Sequence, residues 1–460
     1  MLSSSRSRGP RLTCRPRPPE SFVLRGVRLF DPSLGLDQAG DLSIEQGRIA
    51  AVGEALSASA GAETVDHLAG CAVFPGFVDM HAHLRTPGQE YKEDLESAGR
   101  AAAAGGFVVV AGMANTSPAI DSGPLATWVL DQALESADVL VGQVGAVSRG
   151  LRGEELAELR ELADAGVVAF SDDGRPIGDA DLLLHALRYL RGTGRRVLLH
   201  LEERSLACDG AMHEGRWSAR LGLRGIPSAA ESGPLARDLE LLRYTCREAA
   251  ELGIEPVPLH VQHLSSAEAV RLVREAKAQG LPLTAEVTPH HLLLTDERVR
   301  SFDQSLKMNP PLRAESDRQV LVQGLVDGVI DCVATDHAPH APHEKEVPFE
   351  EAPFGTVGLE TAFAALYGGL VAPGRLGLGR LVSALSAAPS RCLGIEPPSL
   401  AVGAPAHFCV VDLGETWRVG VGDLEGKSRN SAFLGESVQG RVLMTVVDGS
   451  RRYVRGERHV

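Results

Sequence analysis

The chain has 460 residues and a formal net charge of −14 at pH 7, from 46 Lys and Arg against 60 Asp and Glu. Hydrophobic residues make up 44% and charged residues 23%, which is typical of globular proteins. An acidic chain lacks the basic surface that general nucleic-acid binding requires, and no apolar run approaches the length of a membrane span, so we expect neither a nucleic-acid nor a membrane partner.

Residues 1–19 differ in composition from the rest of the chain. They contain five arginines, several serines and prolines, and no acidic residue. No apolar core of a secretory signal is present, and the Arg and Ser bias is only weakly similar to a transit peptide. We therefore expect a disordered tail or an over-extended start over residues 1–19.

The two ends of the chain that follow this tail share one pattern. Residues 20–72 carry short alternating stretches punctuated by Gly and Asp, such as Val27–Phe30 and Arg48–Val52. Residues 396–460 carry similar stretches, including His407–Asp412 and Val442–Gly449. Short alternating runs with turn residues between them predict antiparallel strands. We expect the two ends to pair into one small β-sandwich domain.

The apolar run Ala72–Val78 predicts a short buried strand, and polar residues follow it from Asp79. Side chains alternate along a strand, so His81 and His83 point the same way and can hold one metal ion, usually zinc. Arg85 has the same parity and offers a charged fork suited to a substrate carboxylate. Taken alone, the same residues could be two surface histidines and a solvated arginine.

The middle of the chain alternates strand-like apolar runs with Ala- and Leu-rich helical stretches. After the strand that leads to Asp79, the strand candidates are Gly106–Met113, Val139–Val147, Val167–Phe170, Arg196–His200, Val257–His263, Leu281–Thr288 and Val329–Thr335. The helix candidates between them include Gly153–Ala165, Asp179–Thr193, Leu235–Leu252 and Ser266–Gln279. Eight such units over residues 73–395 predict a (β/α)₈ TIM-like barrel. A doubly wound sheet is the alternative, but no Gly-x-Gly-x-x-Gly follows an early strand.

Polar side chains fall where the predicted strands end. Beyond His81 and His83, they are Asn115, Asp172 and Asp173, His200, His263 and Asp336. Each has an ordinary explanation as a turn residue, a core histidine or a helix cap. Catalytic groups of such barrels lie at the carboxyl ends of the strands, so this shared placement favours one metal site. A metal ion supplies a strong nucleophile from water at neutral pH, which predicts hydrolytic chemistry.

Several segments resemble dihydroorotases of the bacterial class I type, within the amidohydrolase superfamily. They are Pro75–Arg85, Gly225–Ser228, Thr288–Thr295, Lys307–Arg313, Ala334–His340 and Ala352–Gly355. The His-x-His element is common to the superfamily, whereas Lys307–Arg313 and Ala334–His340 are more specific. The resemblance runs from about residue 21 to the end of the chain.

This resemblance implies two zinc ions per chain. One would be held by His81, His83 and Asp336, and the other by His200 and His263. Asp173 would bridge them, because the ligand in the family is the aspartate next to the glycine, whereas strand geometry alone leaves Asp172 open. Substrate would contact a set of residues around the metals, namely His83, Arg85, Asn115, Asn309, His340, Phe354 and Gly355.

The implied reaction is the reversible cyclisation of N-carbamoyl-L-aspartate to (S)-dihydroorotate in de novo pyrimidine (UMP) biosynthesis. Asp336 would be catalytic and would move a proton between the attacking water and the ring nitrogen. Two positions depart from the family pattern, Thr86 in place of a glutamate and Ala114 in place of a proline. Neither change removes a ligand.

Two other functions share parts of this pattern. Allantoinases and hydantoinases use similar histidines but generally bridge their metals with a modified lysine. Some dihydroorotase relatives have lost ligands and serve as partners of aspartate transcarbamoylase, whereas every ligand position is filled here. A complex with that enzyme is still compatible with the sequence, and we expect a homo-oligomer.

Seven scattered cysteines without a Cys-x-x-Cys pair indicate reduced thiols and a cytoplasmic protein.

Overall fold

Two large sheets organise the computed structural model, which describes residues 9–59 and 61–457. The N-terminal segment forms β1 (Phe22–Asp31), β2 (Leu36–Glu45), β3 (Arg48–Gly53), β4 (Glu63–Val65) and β5 (Ala72–Pro75). The next strands are β6 (Phe77–Ala82), β7 (Phe107–Gly112), β8 (Leu140–Gly145), β9 (Ala169–Ser171) and β10 (Val197–Leu199). A short two-stranded ladder follows, β11 (Met212–His213) and β12 (Gly225–Ile226). The remaining strands are β13 (Leu259–Val261), β14 (Leu283–Val287), β15 (Cys332–Val333), β16 (Phe408–Arg418), β17 (Ser437–Val447) and β18 (Ser450–Val454).

The helices lie between the strands of the central part of the chain and after it. They are α1 (Leu95–Ala104), α2 (Gly123–Ser136), α3 (Leu159–Ala165), α4 (Ala180–Tyr189), α5 (Arg204–Ala207), α6 (Arg216–Leu221), α7 (Ala229–Leu252), α8 (Ala267–Ala278), α9 (Pro289–Leu293), α10 (Glu315–Val326), α11 (Pro342–Lys345), α12 (Ala362–Leu366), α13 (Leu378–Leu385) and α14 (Ala387–Leu393). Polar side chains cap several of their first turns. Asp94, Asp179 and Ser266 accept hydrogen bonds from free backbone N–H groups there, which stabilises the starts of α1, α4 and α8.

Eight parallel strands form the predicted barrel, in the order β15, β14, β13, β10, β9, β8, β7, β6. A bridge between Ala82 and His337, with His83 N donating to His337 O at 2.8 Å, joins its first strand to the segment after its last. Each strand overlaps a run that the sequence singled out, with β6 and β9 extending beyond their runs to Ala82 and Ser171, so the barrel prediction is confirmed. The carboxyl ends of all eight strands therefore meet at one mouth.

The run Ala72–Val78 is two strands, although its continuous apolar character predicted one. Strand β5 pairs with β1 and β16 in the terminal sheet, whereas β6 begins the barrel. The break falls at Gly76, where a Cβ atom would lie 2.4 Å from the Val108 side chain. Only glycine allows this close approach, and hydrophobicity alone does not reveal it.

The terminal segments form a second, mostly antiparallel sheet in the order β18, β17, β16, β5, β1, β2, β3, with β4 beside β1. This pairing of the two chain ends confirms the predicted small β domain. Aromatic rings join it to the barrel, since Phe77 stacks on Phe363 at 5.3 Å and Phe74 lies 5.6 Å from the same ring. The domain boundaries near residues 73 and 395 stay a prediction.

The expectation of a disordered tail is wrong for residues 9–19, and residues 1–8 lie outside the described residues. Thr13 exchanges backbone hydrogen bonds with Val141 at the start of β8. Arg15 and Arg17 both donate to the buried Asp138 carboxylate, at 2.7 and 2.9 Å. The arginines that suggested a solvated tail neutralise this buried acid, which fixes the segment on the barrel.

Among the described residues, no helix is both long enough and apolar enough to cross a membrane.

Candidate active site

A cavity of about 200 Å³ opens at the mouth formed by the carboxyl ends of the barrel strands. The residues that line it come from loops after most of these strands. They are His83, Arg85, Asn115, Asp173, Gly174, His200, His263, Asn309, Asp336, Ala338, His340, Phe354 and Gly355. Every residue to which the sequence assigned substrate contact lines this cavity, and His81 lies buried beneath it.

Histidines and aspartates converge at the base of the cavity. Asp336 Oδ1 lies 3.0 Å from His83 Nε2 and 3.5 Å from His81 Nε2. Asp173 Oδ1 lies 3.4 Å from His81 Nε2 and 3.3 Å from His200 Nδ1. His263 Nε2 is 2.9 Å from His200 Nδ1 and 3.7 Å from Asp173 Oδ1. Asp173 therefore lies between the two groups of ligands that the sequence predicted.

These residues fit a divalent metal ion. His81 Nε2, Asp173 Oδ1 and His200 Nε2 are buried, and none has a hydrogen-bond partner among the described residues. Such buried polar atoms are costly unless a ligand satisfies them. Ligand atoms of His81, Asp173 and His263 lie within 4.8 Å of one another, as do those of His81, His83 and Asp336. Imidazole nitrogens and carboxylate oxygens are the donor set that zinc takes in catalytic sites.

Burial and charge act in opposite directions on the aspartates of this cluster. Burial favours the neutral form of Asp336, but the neighbouring His81 and His83 outweigh it and lower the pKa of Asp336. The pKa of Asp173 is also held well below its usual range, since burial is outweighed by His81 and His200. Both carboxylates are therefore ionised and suited to bind a cation.

A second layer of side chains orients the histidines. His81 Nδ1 donates to Glu286 Oε1 at 2.7 Å, and His260 Nε2 donates to Glu286 Oε2 at 3.1 Å. His83 Nδ1 donates to Asn115 Oδ1 at 3.0 Å. In both histidines this leaves Nε2 directed at the cluster, which is the usual arrangement of a metal ligand and its supporting acceptor.

The backbone at three strand ends is strained. Arg85, His263 and Asp336 have φ angles of 60°, 31° and 48°, a region that residues with a Cβ atom rarely adopt. Strain of this kind persists only where the surrounding structure enforces it, and it is typical of active sites. Here it redirects the chain as it leaves each strand, so that the three side chains line the cavity.

One wall of the cavity carries the positive charge. Arg85 is buried, and its Nε donates to Pro339 O at 3.1 Å. Burial lowers the pKa of Arg85 to about 10, so the guanidinium stays charged at neutral pH. His340 lies on the same wall, where burial and then the Arg85 charge lower its pKa to about 3. His340 is therefore neutral, and its Nε2 donates to Phe354 O at 2.8 Å.

Glycine is required at the neighbouring position 355. Its φ is 128°, and a Cβ atom there would lie 2.6 Å from Ala338 Cβ and 3.2 Å from His340 Nε2. Gly355 N donates to Lys307 O at 2.8 Å, which fixes the Phe354–Gly355 backbone at the cavity. The sequence motif around these residues thus marks a close approach of two loops.

Four residues of the site were not found from the sequence. Glu286 in β14 and Gln262 just after β13 both contact His81 Nδ1. Neither residue belongs to a sequence motif that would have marked it. Glu202 accepts from Asn309 Nδ2 at 2.5 Å, and its position two residues after His200 was the available signal. Asn430 comes from the C-terminal part of the chain and bonds Ala338 O, Gly355 O and His340 N, at 3.0, 3.2 and 3.1 Å. No local pattern links residue 430 to the barrel.

Comparison with known proteins gives consistent matches. A family model described as Dihydro-orotase-like matches residues 70–251. A protein of Citrifermentans bemidjiense named dihydroorotase is 44% identical over 433 residues, covering 94% of this chain and 99% of the relative. A protein of Pelobacter propionicus with the same name is 45% identical over 435 residues, covering 95% and 100%.

The similar solved structures carry other names. An L-hydantoinase (dihydropyrimidinase) from Arthrobacter aurescens matches with a TM-score of 0.83 over 96% of this chain and 98% of that chain, at 24% identity. A dihydropyrimidinase from Brevibacillus agri matches with a TM-score of 0.78 over 94% of each chain, at 22% identity. At such identities the likeness shows the fold alone.

Proposed function

The chain belongs to the dihydroorotase family, and we therefore propose that it interconverts (S)-dihydroorotate and N-carbamoyl-L-aspartate, a step of de novo pyrimidine biosynthesis. The reaction is a hydrolysis of a cyclic amide and its reverse. The observation that carries the substrate assignment is the buried, charged Arg85 on the wall of the cavity that holds the His and Asp cluster. A ring with a carboxylate needs such a partner, whereas a plain hydantoin does not.

Zinc is the proposed cofactor, with two ions per chain. His81, His83 and Asp336 would hold one ion, His200 and His263 the other, and Asp173 would bind both. When bound, zinc acidifies water and polarises the amide carbonyl group. Glu286 and Asn115 keep the Nε2 atoms of His81 and His83 directed at this cluster through the hydrogen bonds already described.

Asp336 is the proposed catalytic residue. Its side chain is 13% exposed, whereas that of Asp173 is 4% exposed, so Asp336 is the cluster carboxylate that faces the cavity more openly. In the hydrolytic direction water attacks the ring amide carbonyl, and Asp336 accepts a proton from this water. Asp336 then gives the proton to the ring nitrogen as the carbon–nitrogen bond breaks. Cyclisation follows the same steps in reverse.

The remaining residues of the cavity bind and orient the substrate in this proposal. The Arg85 guanidinium pairs with the substrate carboxylate, and Asn115 and His340, which line the same cavity, are proposed to bind it as well. Asn309 and the Phe354–Gly355 backbone contact the ring. Glu202 holds the Asn309 amide group at 2.5 Å, which fixes one face of the ring site.

Purified protein with its zinc quantified tests this function. We expect turnover of dihydroorotate and of N-carbamoyl-L-aspartate, with about two zinc ions per chain. Bound zinc with turnover only of allantoin or hydantoins would keep the metal site and overturn the substrate. Bound zinc without turnover until aspartate transcarbamoylase is added would show that the site needs this partner.

Three further properties belong to the same proposal. The Asp172-Asp173-Gly174 segment supports the bacterial class I type, because an aspartate stands where many relatives use a modified lysine. Seven free cysteines, of which five are buried, support a cytoplasmic location. A homo-oligomer is expected, and light scattering of the protein with and without aspartate transcarbamoylase measures both its own assembly and this complex.

A further inference from the structure

A second cavity lies at the opposite end of the barrel from the metal ligands. Its volume is about 220 Å³. Arg196 and Asp331 immediately precede β10 and β15, so they mark the amino ends of the barrel strands. Arg380 of α13, and Arg391 and Cys392 of α14, complete the wall. Nothing in the proposed reaction uses this cavity.

Three arginines line this small space in a chain with a net charge of −14. Arg380 is held in place by backbone oxygens, since its Nε donates to Leu325 O at 2.7 Å and its Nη2 to Asp331 O at 3.1 Å. Arg196 uses one nitrogen, Nη1, to bond Thr284 Oγ1 at 2.7 Å. Within the described part of the chain, the Arg391 guanidinium has no hydrogen bond or ion pair, whereas its backbone carbonyl accepts one from Gly394 N. Several guanidinium donors therefore remain for a ligand.

One carboxylate, that of Asp331, also belongs to the wall, but it already has partners. Asp331 Oδ2 accepts from Lys277 Nζ at 2.6 Å and from Ala285 N at 2.7 Å. No ion pair joins Asp331 to Arg196, Arg380 or Arg391 among the described residues. The cavity thus keeps a net positive wall, and guanidinium forks favour tetrahedral oxyanions such as phosphate.

A continuous chain of hydrogen bonds runs from this cavity through the barrel interior. Arg196 bonds Thr284, and Thr284 Oγ1 lies 2.8 Å from His260 Nδ1. His260 Nε2 donates to Glu286 Oε2 at 3.1 Å. The other oxygen of Glu286 accepts from His81 Nδ1 at 2.7 Å. This series of hydrogen bonds therefore ends at the His81 ring, which is a predicted zinc ligand.

We propose that this cavity binds one phosphate-type anion through Arg196, Arg380 and Arg391, and that the hydrogen-bonded chain from Arg196 to His81 links its occupancy to the metal site. The anion would compete with Thr284 for Arg196, the first donor of the chain. A free inorganic phosphate and the phosphate group of a small metabolite share this chemistry. Whichever occupies the cavity, the same three arginines hold it.

Calorimetric titration of the zinc-loaded full chain with inorganic phosphate tests the binding site. We expect one phosphate per chain, and at least about tenfold weaker binding in Arg391→Gln, because a charge-assisted hydrogen bond is lost. Arg391 is exposed, so this variant should fold normally. Arg247→Gln is the matched control, since Arg247 is also an exposed helix arginine, and among the described residues its guanidinium only stacks on Tyr244.

Two results would overturn the binding site. One is the absence of phosphate binding by the native chain. The other is binding that survives Arg391→Gln and Arg380→Gln but is lost in Arg85→Met, which would place the phosphate in the active-site cavity. Neither result depends on which substrate the protein turns over, so a failure here is distinct from a failure of the proposed function.

The link to the metal site has its own readout, the rate at which a chelator removes zinc. We expect phosphate to change this rate at least about twofold in the native chain and in Thr284→Ser, which keeps the hydroxyl group. Thr284→Val keeps the shape of the side chain but removes the hydroxyl group that links Arg196 to His260. The effect of phosphate on the rate of zinc removal should therefore disappear, while phosphate still binds. An unchanged rate in the native chain, or an equal change in Thr284→Val, would contradict the link.

Discussion

Asp172 and Asp173 are neighbours in the chain, yet their carboxylates bind different parts of the molecule. Asp172 Oδ1 accepts from Val147 N and Ser148 N, at 2.8 and 3.0 Å, and so supports the loop after β8. Asp173 Oδ1 lies 3.4 Å from His81 Nε2, inside the His and Asp cluster. The chain turns directly after β9, where Arg175 N donates to Asp172 O at 2.9 Å, and this turn carries Asp173 towards the cluster while Asp172 stays against the loop after β8.

This difference predicts that substitution of Asp173 affects zinc binding, whereas substitution of Asp172 affects stability. Asp173→Ala should weaken zinc binding at least about tenfold, because a ligand shared by both metal positions is lost. Asp172→Ala should keep its zinc but lower the free energy of unfolding by about 1–3 kcal/mol, since buried N–H groups lose their acceptor. Zinc content and urea unfolding of both proteins measure this. If only Asp172→Ala lost zinc, Asp172 would be the metal ligand and Asp173 would not.

Asp336→Asn tests the proposed proton transfer. Loss of a general acid–base group lowers kcat by about 10²–10⁴-fold, and the amide cannot replace the carboxylate in this role. Zinc must be measured on the same sample, because Asp336 is also a predicted ligand. Asp209→Asn, at an exposed loop position, is the control. Near-normal turnover by zinc-loaded Asp336→Asn would remove the catalytic assignment.

Arg85→Met tests recognition of the substrate carboxylate. The methionine fills much of the buried space without the charge, so KM for dihydroorotate should rise at least about tenfold. Turnover of 5,6-dihydrouracil, a ring without the carboxylate, should fall little or not at all. Steady-state kinetics on both substrates separate the two effects. An equal loss on both rings would mean that Arg85 supports the cavity and does not select the substrate.

The sequence predicted the barrel and the ligands for the same physical reason. Parallel strands of a barrel end at one mouth, so polar residues at the ends of separate apolar runs must meet there. The sequence could not reveal Asn430, which reaches the site only because the β domain packs on the barrel. It also missed the split at Gly76, since hydrophobicity continues through a break that depends on a close approach to Val108.

Glu286→Gln tests the support of the predicted zinc ligand His81. The buried Glu286 carboxylate accepts hydrogen bonds from two histidines, and their charges outweigh its burial and lower its pKa to about 2. A glutamine keeps the shape but not the charge, so zinc affinity should fall about 10–100-fold. Glu231→Gln is the control, because Glu231 is also buried and bonds Ser265 N and Ser266 N. Equal zinc affinity in the two variants would contradict the role of Glu286.

Lys345 makes stability depend on pH. Its ammonium group is buried next to the site, where Nζ donates to Gln304 O and Pro353 O at 3.0 and 2.7 Å. Burial, and then the charge of Lys307, lower the pKa of Lys345 from 10.5 to about 7. Between pH 7 and 10.5 the unfolded chain therefore binds this proton more readily than the folded chain. Below pH 7 both states carry the proton.

The free energy of unfolding should consequently rise with pH above 7 on account of Lys345, by up to ~1.4 kcal/mol per pH unit. Lys345→Met removes this dependence, because methionine carries no proton in either state. Urea unfolding at about pH 6, 7, 8 and 9 gives the free energy of unfolding of the native chain and of Lys345→Met. The difference between the two should be constant up to pH 7 and then increase. Other titrating groups cancel in this difference. A constant difference across the whole range would mean that Lys345 stays charged in the folded protein.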